Sequence, residues 1–229
     1  MVRQLIGVAV AAALLLAAGC GGGSSVAPAT LVSESAAATG RIRSFHFTLD
    51  IEGVPRSSSG LQLDAAEGDA VVPDRLHAEV TGNFAGIPLT TELASVGGKL
   101  WIKNPLSGSW TAVDVGTTPG FLLAPKQGVL GVMQAVKGLE RDGSEDVGGV
   151  ATERLRGRAP AAKVAPLVAV SPGPGSVKVT LWIGKDDKIL RRIQVSGPVA
   201  AGEPASASRV VEVSRFDEKV RIEAPKGAT

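Results

Sequence analysis

Phe45, Phe47, Leu49 and Ile51 alternate with His46, Thr48, Asp50 and Glu52. A period of two puts one residue class on each side of an extended chain, so this stretch reads as a strand with one apolar and one polar face. Such a strand needs neighbours for its backbone groups and a cover for its apolar side. The pattern returns over Leu61–Leu63, Leu76–Thr81, Leu89–Val96 and Lys99–Lys103, with a turn at Asn104-Pro105 ahead of Trp110. It resumes over Leu139–Val147, Val150–Arg158, Val177–Ile183, Ile189–Val195, Arg209–Ser214 and Val220–Glu223. Gly97-Gly98 and Asp186-Asp187 mark tight turns, and such short spacing favours antiparallel hairpins.

Three segments break the alternation. Thr30–Thr39 is Ala-rich, with Leu31, Ser35 and Ala38 on one stripe; Thr30 reads as its N-cap and Gly40 as its stop. Thr117–Lys137 begins Thr118-Pro119 and restarts at Pro125, after which Val129, Val132, Met133 and Val136 share a helical face. Pro160–Val168 is a short, broken helix carrying Val164, Leu167 and Val168, followed by a Ser171–Gly175 loop. An antiparallel meander of about nine to eleven strands curls rather than staying open and flat. Helices inserted between its strand groups have to cover one face. The expected fold is therefore α+β: a strongly curved antiparallel sheet, or half-barrel, with helices over its concave face. Leu100-Trp101-Ile102 recurs as Leu181-Trp182-Ile183, which fits either an internal duplication or the reuse of good strand formers.

The chain start adds a location. Arg3 is followed by an apolar run from Leu5 to Ala18, interrupted at Gly7, and Ala17-Ala18-Gly19 precedes Cys20. A basic start, a short apolar stretch and small residues before the cut make a secretory signal, too short for a spanning helix of about 20 residues. Cys20 is the only cysteine, and its place resembles a bacterial lipobox, with Ala17 where Leu is commonest. Ordinary secretion with a stray cysteine is the alternative. On the lipobox reading Cys20 carries the lipid anchor, since two or more acyl chains hold stably where one does not. The expected division is residues 1–19 signal, 20–29 a Gly/Ser-rich tether and 30–229 a single domain, exported and anchored to the outer face of the plasma membrane.

Composition narrows the function. Hydrophobic residues make up 44% of the 229, but aromatics only 3%, and Tyr is absent. The walls of any interior are thus mainly Ala, Val and Leu. Formal charge is +2, and removing Arg3 leaves 23 basic against 22 acidic side chains, which gives no support to nucleic-acid binding. With Cys20 used for lipid, no thiol remains for a disulfide or a thiolate metal site.

A catalytic reading finds little. His46 and His77 stand at polar positions of strands and read as solvated surface; two histidines without helical spacing do not make a zinc site. No Gly-x-Ser-x-Gly elbow occurs, and Gly97-Gly98-Lys99 is not followed by Ser or Thr. Asp186 and Asp187 are explained by a hairpin turn, and Trp101, Trp110 and Trp182 by packing. No enzyme, metal or cofactor is expected. The Val129–Val136 stripe suits core contact. Gly120, Pro125, Gly128 and Gly131 around it, with Phe121, Leu122 and Leu123, suit a mobile apolar cover equally, because each interior Gly costs about 1 kcal/mol of helix against Ala.

Ser44–Leu49 leading to Gly53-Val54-Pro55, Ala66-Glu67-Gly68-Asp69 and Pro73-Asp74 form an ordered series. Gly98–Lys103 with Trp110, Gly149-Val150 and Val179–Ile183 continue it behind the lipobox. In that order they resemble the actinobacterial lipoproteins LppX, LprA, LprF and LprG over nearly the whole mature chain. The resemblance implies a half-barrel similar to the periplasmic lipoprotein carriers, whose apolar cavity holds multi-acylated lipids or lipoglycans and moves them across the envelope. It implies an acylated lipid or glycolipid as ligand, the membrane as partner through Cys20, and an inner-membrane transporter that loads the protein. A loop at 197–206 is a departure. Candidate cavity residues, chosen on apolar parity, are Phe47, Leu49 and Leu100 from early strands and Phe121, Leu122, Val129, Val132, Met133 and Val136 from the broken helix. Val179 and Leu181 complete the set from a late strand. The alternative function is an envelope interaction or assembly protein with a solid core and no ligand.

Overall fold

In the computed structural model, residues 26–56, 61–84, 86–113, 128–168 and 170–227 are described. Their alternating runs, with one exception, become rungs of a single antiparallel sheet. The first six strands are β1 (Ser44–Glu52), β2 (Leu61–Val71), β3 (Arg75–Phe84), β4 (Ile87–Val96), β5 (Lys99–Lys103) and β6 (Trp110–Val113). The other five are β7 (Lys137–Val147), β8 (Val150–Pro160), β9 (Ser176–Gly184), β10 (Leu190–Ser196) and β11 (Ser208–Ser214). The order is β6-β5-β4-β3-β2-β1-β11-β10-β9-β8-β7, so two meanders join where the last strand pairs with the first. β6 and β7 remain as edges, and the half-barrel is open.

Register keeps one face apolar across both meanders. Phe47 stands between Gly68 on β2 and Val213 on β11, Val211 opposite Ile193, and Ile193 opposite Leu181, which meets Leu155 on β8. A slip of one residue at any of these ladders would turn that strand's apolar set to the outside. The opposite face carries His46, Asp69, Glu92, Arg192 and Trp182.

β2 runs eight residues past the expected Leu63. Ala65, Ala66, Gly68 and Ala70 are poor strand formers on propensity, yet they pair throughout with β1 and β3. Their small size is what lets the sheet curl. A Cβ on Gly68 would lie 2.2 Å from the His77 carbonyl oxygen and 2.6 Å from the Ala78 Cα, and one on Gly82 would lie 2.1 Å from the Gln62 oxygen. The bulge between Leu63 and Ala65 adds to the bend.

Three helices lie over the inner face. α1 (Pro28–Thr39) starts two residues before the expected Thr30, with Ala27 as N-cap and Pro28 in its first turn, where the ring supplies the helical φ and the missing N–H is no loss. It buries Leu31, Val32, Ser35 and Ala36. α2 (Val129–Ala135) is the described part of the broken helix; residues 117–127 of that expectation lie outside the described residues. α3 (Ala161–Val164) runs on into a 3-10 turn at Ala165–Val168. These helices pack on β7, β8 and β10.

Val220–Glu223 is the exception: it forms no ladder strand. Its segment is held by side chains instead. Ser44 Oγ donates to the Glu218 carbonyl at 2.6 Å and Arg75 Nη1 to the Ile222 carbonyl at 3.0 Å, while Ile222 is buried.

Gly68→Ala is expected to cost about 1–3 kcal/mol, since backbone atoms of β3 and not a flexible side chain must move. Urea unfolding followed by circular dichroism measures it, and an unchanged midpoint would mean that the close β2–β3 approach does not set the curl.

Candidate functional site

The interior is divided. One buried cluster joins α1, α2, α3 and the inner face of β8–β10, with Leu155, Val179, Leu181 and Ile183 fully buried. A second, smaller one joins Phe47, Ala70, Leu76, Ala78 and Val80 on β1–β3. Where they meet, an apolar hollow, open at its mouth, is left between the sheet and the ends of two helices. Its floor comes from Phe45, Phe47, Val211 and Val213; Val129 and Leu130 of α2 form one wall and Leu190 another. Ile42, Val72, Leu76 and Phe216 complete the lining.

The lining is almost wholly apolar. Thr39 is its one hydroxyl, and that oxygen already accepts the Leu190 N–H at 3.0 Å. The hollow therefore offers mainly dispersion contact, with no lining side chain in need of a polar ligand.

Of the candidate residues, Phe47 and Val129 line this hollow. Leu49, Leu100, Val132, Met133, Val136, Val179 and Leu181 are buried among other side chains and do not line it. Val132 and Met133, at 0% and 1% exposure, fill the space between α2 and the large cluster. Phe121, Leu122 and Cys20 lie outside the described residues. Ile42, Val72, Leu190 and Phe216 were not singled out from sequence because three of them belong to turns or strand ends and gain their place only through the fold.

The polar face is a set of ion pairs. His46 is not simply solvated: its Nδ1 lies 2.9 Å from Asp69 Oδ1 and its Nε2 3.2 Å from Glu67 Oε1, and Arg215 also contacts Nδ1. His77 faces Glu92 at 3.1 Å, and Lys103 adds to the same carboxylate at 2.5 Å. That Lys103 bond, aided by His77, holds the Glu92 carboxyl below the ordinary carboxylate value. Glu145 takes hydrogen bonds from Trp182 Nε1 at 2.9 Å and Arg192 Nη1 at 3.1 Å, and these, the Trp182 bond foremost, hold its carboxyl low as well. Among the described residues no group of His, Cys, Asp or Glu is arranged to hold a metal. Asp187 accepts the Ile189 N–H at 3.0 Å and pairs with Arg191, so that carboxylate is engaged in the turn itself.

Because the folded-state pKa of Glu145 is depressed, its contribution to stability is fully present above its unfolded pKa and fades as pH falls through the lower folded value. Glu145→Gln is therefore expected to lower the urea midpoint at pH 7, with the difference from wild type closing below about pH 4.5. A difference that stays constant across that range would show that packing of the side chain, and not its charge, is at work.

Three comparisons place the geometry. A family model described as LppX_LprAFG lipoprotein matches residues 27–222. No curated protein matches the chain. The solved structure of LprF from Mycobacterium bovis superposes with a TM-score of 0.71 at 20% identity, over 87% of this chain and 97% of that one. Lipoprotein LppX of Mycobacterium tuberculosis superposes with a TM-score of 0.62 at 19% identity, over 86% of this chain and 98% of that one.

Proposed function

Because the chain belongs to the LppX_LprAFG lipoprotein family, we propose that it is a lipid carrier of the cell envelope, taking the acyl tails of a multi-acylated lipid or lipoglycan into its inner hollow. The observation that carries this reading is the hollow itself, an apolar space at the seam of two clusters whose one side-chain hydroxyl is already engaged. A solid-cored assembly protein would have closed that seam with its own side chains.

The energetics fit the task. Drawing a sixteen-carbon chain out of a membrane exposes methylenes at about 0.8 kcal/mol each, roughly 12 kcal/mol in all. A carrier has to offset most of this with apolar surface, and aliphatic walls do so without fixing the chain in one stacking geometry. Acylation of Cys20, with residues 21–27 as tether, would keep the domain beside the membrane face from which it is loaded. An inner-membrane transporter is the proposed loading partner. No chemistry of its own is needed for transfer.

The test is to purify the protein from a mycobacterial host, extract it with solvent and weigh the extract against the protein by mass spectrometry. A stoichiometric acylated lipid is expected, and its absence from repeated preparations would defeat the carrier reading. Val129→Trp, which places an indole at the wall of the hollow, is expected to lower the lipid-to-protein ratio severalfold while thermal unfolding changes little. Val132→Trp is expected to do the reverse in stability, since that side chain has no open space beside it and overpacking costs about 1–3 kcal/mol.

A further inference from the structure

A second hollow adjoins the first. Thr48, Glu212 and Ser214 line it from the outer face of β1 and β11, the β7–β8 hairpin contributes Val147, Gly148 and Val150, and Arg191 and Arg215 complete it. The two hollows share Val213 and Phe216. Along the chain the division is sharp: Leu190 lines the inner hollow and Arg191 the outer one. Alternation separates these neighbours, and the irregularity in the β9–β10 ladder between Leu190 and Arg192 makes Leu190 the inward one and Arg191 the outward one.

Arg191 is the unusual group. Its guanidinium lies 4.7 Å from the centre of the Phe216 ring, and the residue is only 8% exposed. Its Nη2 pairs with the Asp187 carboxylate, but its Nη1 is buried with no hydrogen-bond partner. A buried N–H left unpaired on a charged group costs about 1–3 kcal/mol or more, so a native fold that keeps one calls for an acceptor that completes it. Arg215 is half exposed and holds a left-handed backbone at φ 47°. Its Nη2 contacts His46 Nδ1 and lies 3.3 Å from Asp69 Oδ1. A guanidinium has five donors, so these contacts leave others for a ligand. The carboxylate in the lining, Glu212, is already engaged by Arg192 Nε at 2.7 Å.

We infer that the outer hollow receives a phosphate-bearing head of the lipid whose tails occupy the inner one, with Arg191 and Arg215 donating to phosphate oxygens and Phe216 dividing head from tails. The inference rests on the carrier reading above and narrows its substrate class to anionic acyl lipids. Guanidinium and phosphate match in geometry, and a charge-assisted bond beside an aromatic ring and away from bulk water is stronger than one at an open surface. Thr48 and Ser214 supply hydroxyls that pair with uncharged oxygens of the same head.

The experiment offers the full chain, in a non-ionic detergent, equal amounts of dipalmitoylglycerol and dipalmitoyl phosphatidic acid, and counts the lipids recovered with the protein by mass spectrometry. Calorimetric titrations with glycerol 3-phosphate and with inorganic phosphate run beside it. Wild type is expected to prefer phosphatidic acid by about tenfold, the size of one charge-assisted hydrogen bond, and Arg191→Met to bring the ratio close to one. Arg215→Gln, at a half-exposed position, is expected to lower the ratio partway and guards against a folding defect in the buried variant. Thermal unfolding of both variants is recorded. Equal loading of the two lipids by wild type, or a ratio that neither variant changes, overturns the anion site and leaves the carrier reading standing. If neither lipid loads, the carrier reading fails. Calorimetry then decides the rest: phosphate binding lost in Arg191→Met keeps the site as one for free phosphate, and no binding by wild type overturns it.

Discussion

Among the described residues, an eleven-stranded sheet with one continuous apolar face has more surface to cover than three short helices provide. That mismatch governs the rest of the structure. Over β8–β10 the helices meet it, and Leu155, Val179, Leu181, Val132 and Met133 close into a core without gaps at their own positions. Over β1–β3 the sheet relies on its curl, made possible by Gly68, Gly82 and the alanines beside them, to bring Phe47, Leu76 and Val80 together. Two clusters built by different means do not meet flush. The hollow is the remainder, and its position at β1, β11 and β10 follows from where the last strand of the chain joins the first.

The outer face solves a separate problem. Its ladders carry charges in opposed pairs, among them Glu92 with Lys103 and His77, and Glu145 with Arg154 and Arg192. Exposed pairs of this kind add little to stability singly. Their value is in keeping the outer face wet, so that the sheet has one side to bury and register has one answer. Trp182 illustrates the arrangement, with its ring beneath Arg192 at 5.1 Å and its N–H on Glu145.

Parity was the legible part of the sequence. Phe45, Phe47 and Leu49 announced the inner face of β1, and the turns at Gly97-Gly98 and Gly148-Gly149 sit at positive φ as two-residue hairpins need. The far half of β2 was hidden because Ala and Gly carry no strand signal of their own; pairing on both sides overrode that. Val220–Glu223 alternates like a strand but follows a turn tied to the start of β1 by the Asp217 N–H on the Ser44 carbonyl, and it meets side-chain donors where a ladder would have run. Apolar parity also could not separate wall from core. Val129 and Val132 lie on one helical stripe, yet the first stands at the hollow and the second is sealed, because one turn of helix carries the chain from rim to interior. Arg191 was invisible for a related reason: plain alternation from Arg192 would turn it to the inner face, and only the ladder irregularity after Leu190 lets it line the outer hollow.

The rim is also where the fold can yield most cheaply. α2 has seven residues, no side-chain cap at its N-terminus and Gly131 inside it, so in isolation it would not form. Its stability comes from Val132 and Met133 at its base, packed against the large cluster. Val129 and Leu130, in its first turn, are only partly buried and border the hollow. A displacement of that turn by an entering chain would break contacts to a space and not to a core, while the anchoring pair behind it stayed in place. The sheet side has less freedom, since Phe47 is fixed by ladders on both flanks and Val213 by its ladder with β1. A hollow with one rigid wall and one weakly held wall accommodates tails of different length at small cost, which a closed core of the same composition would not.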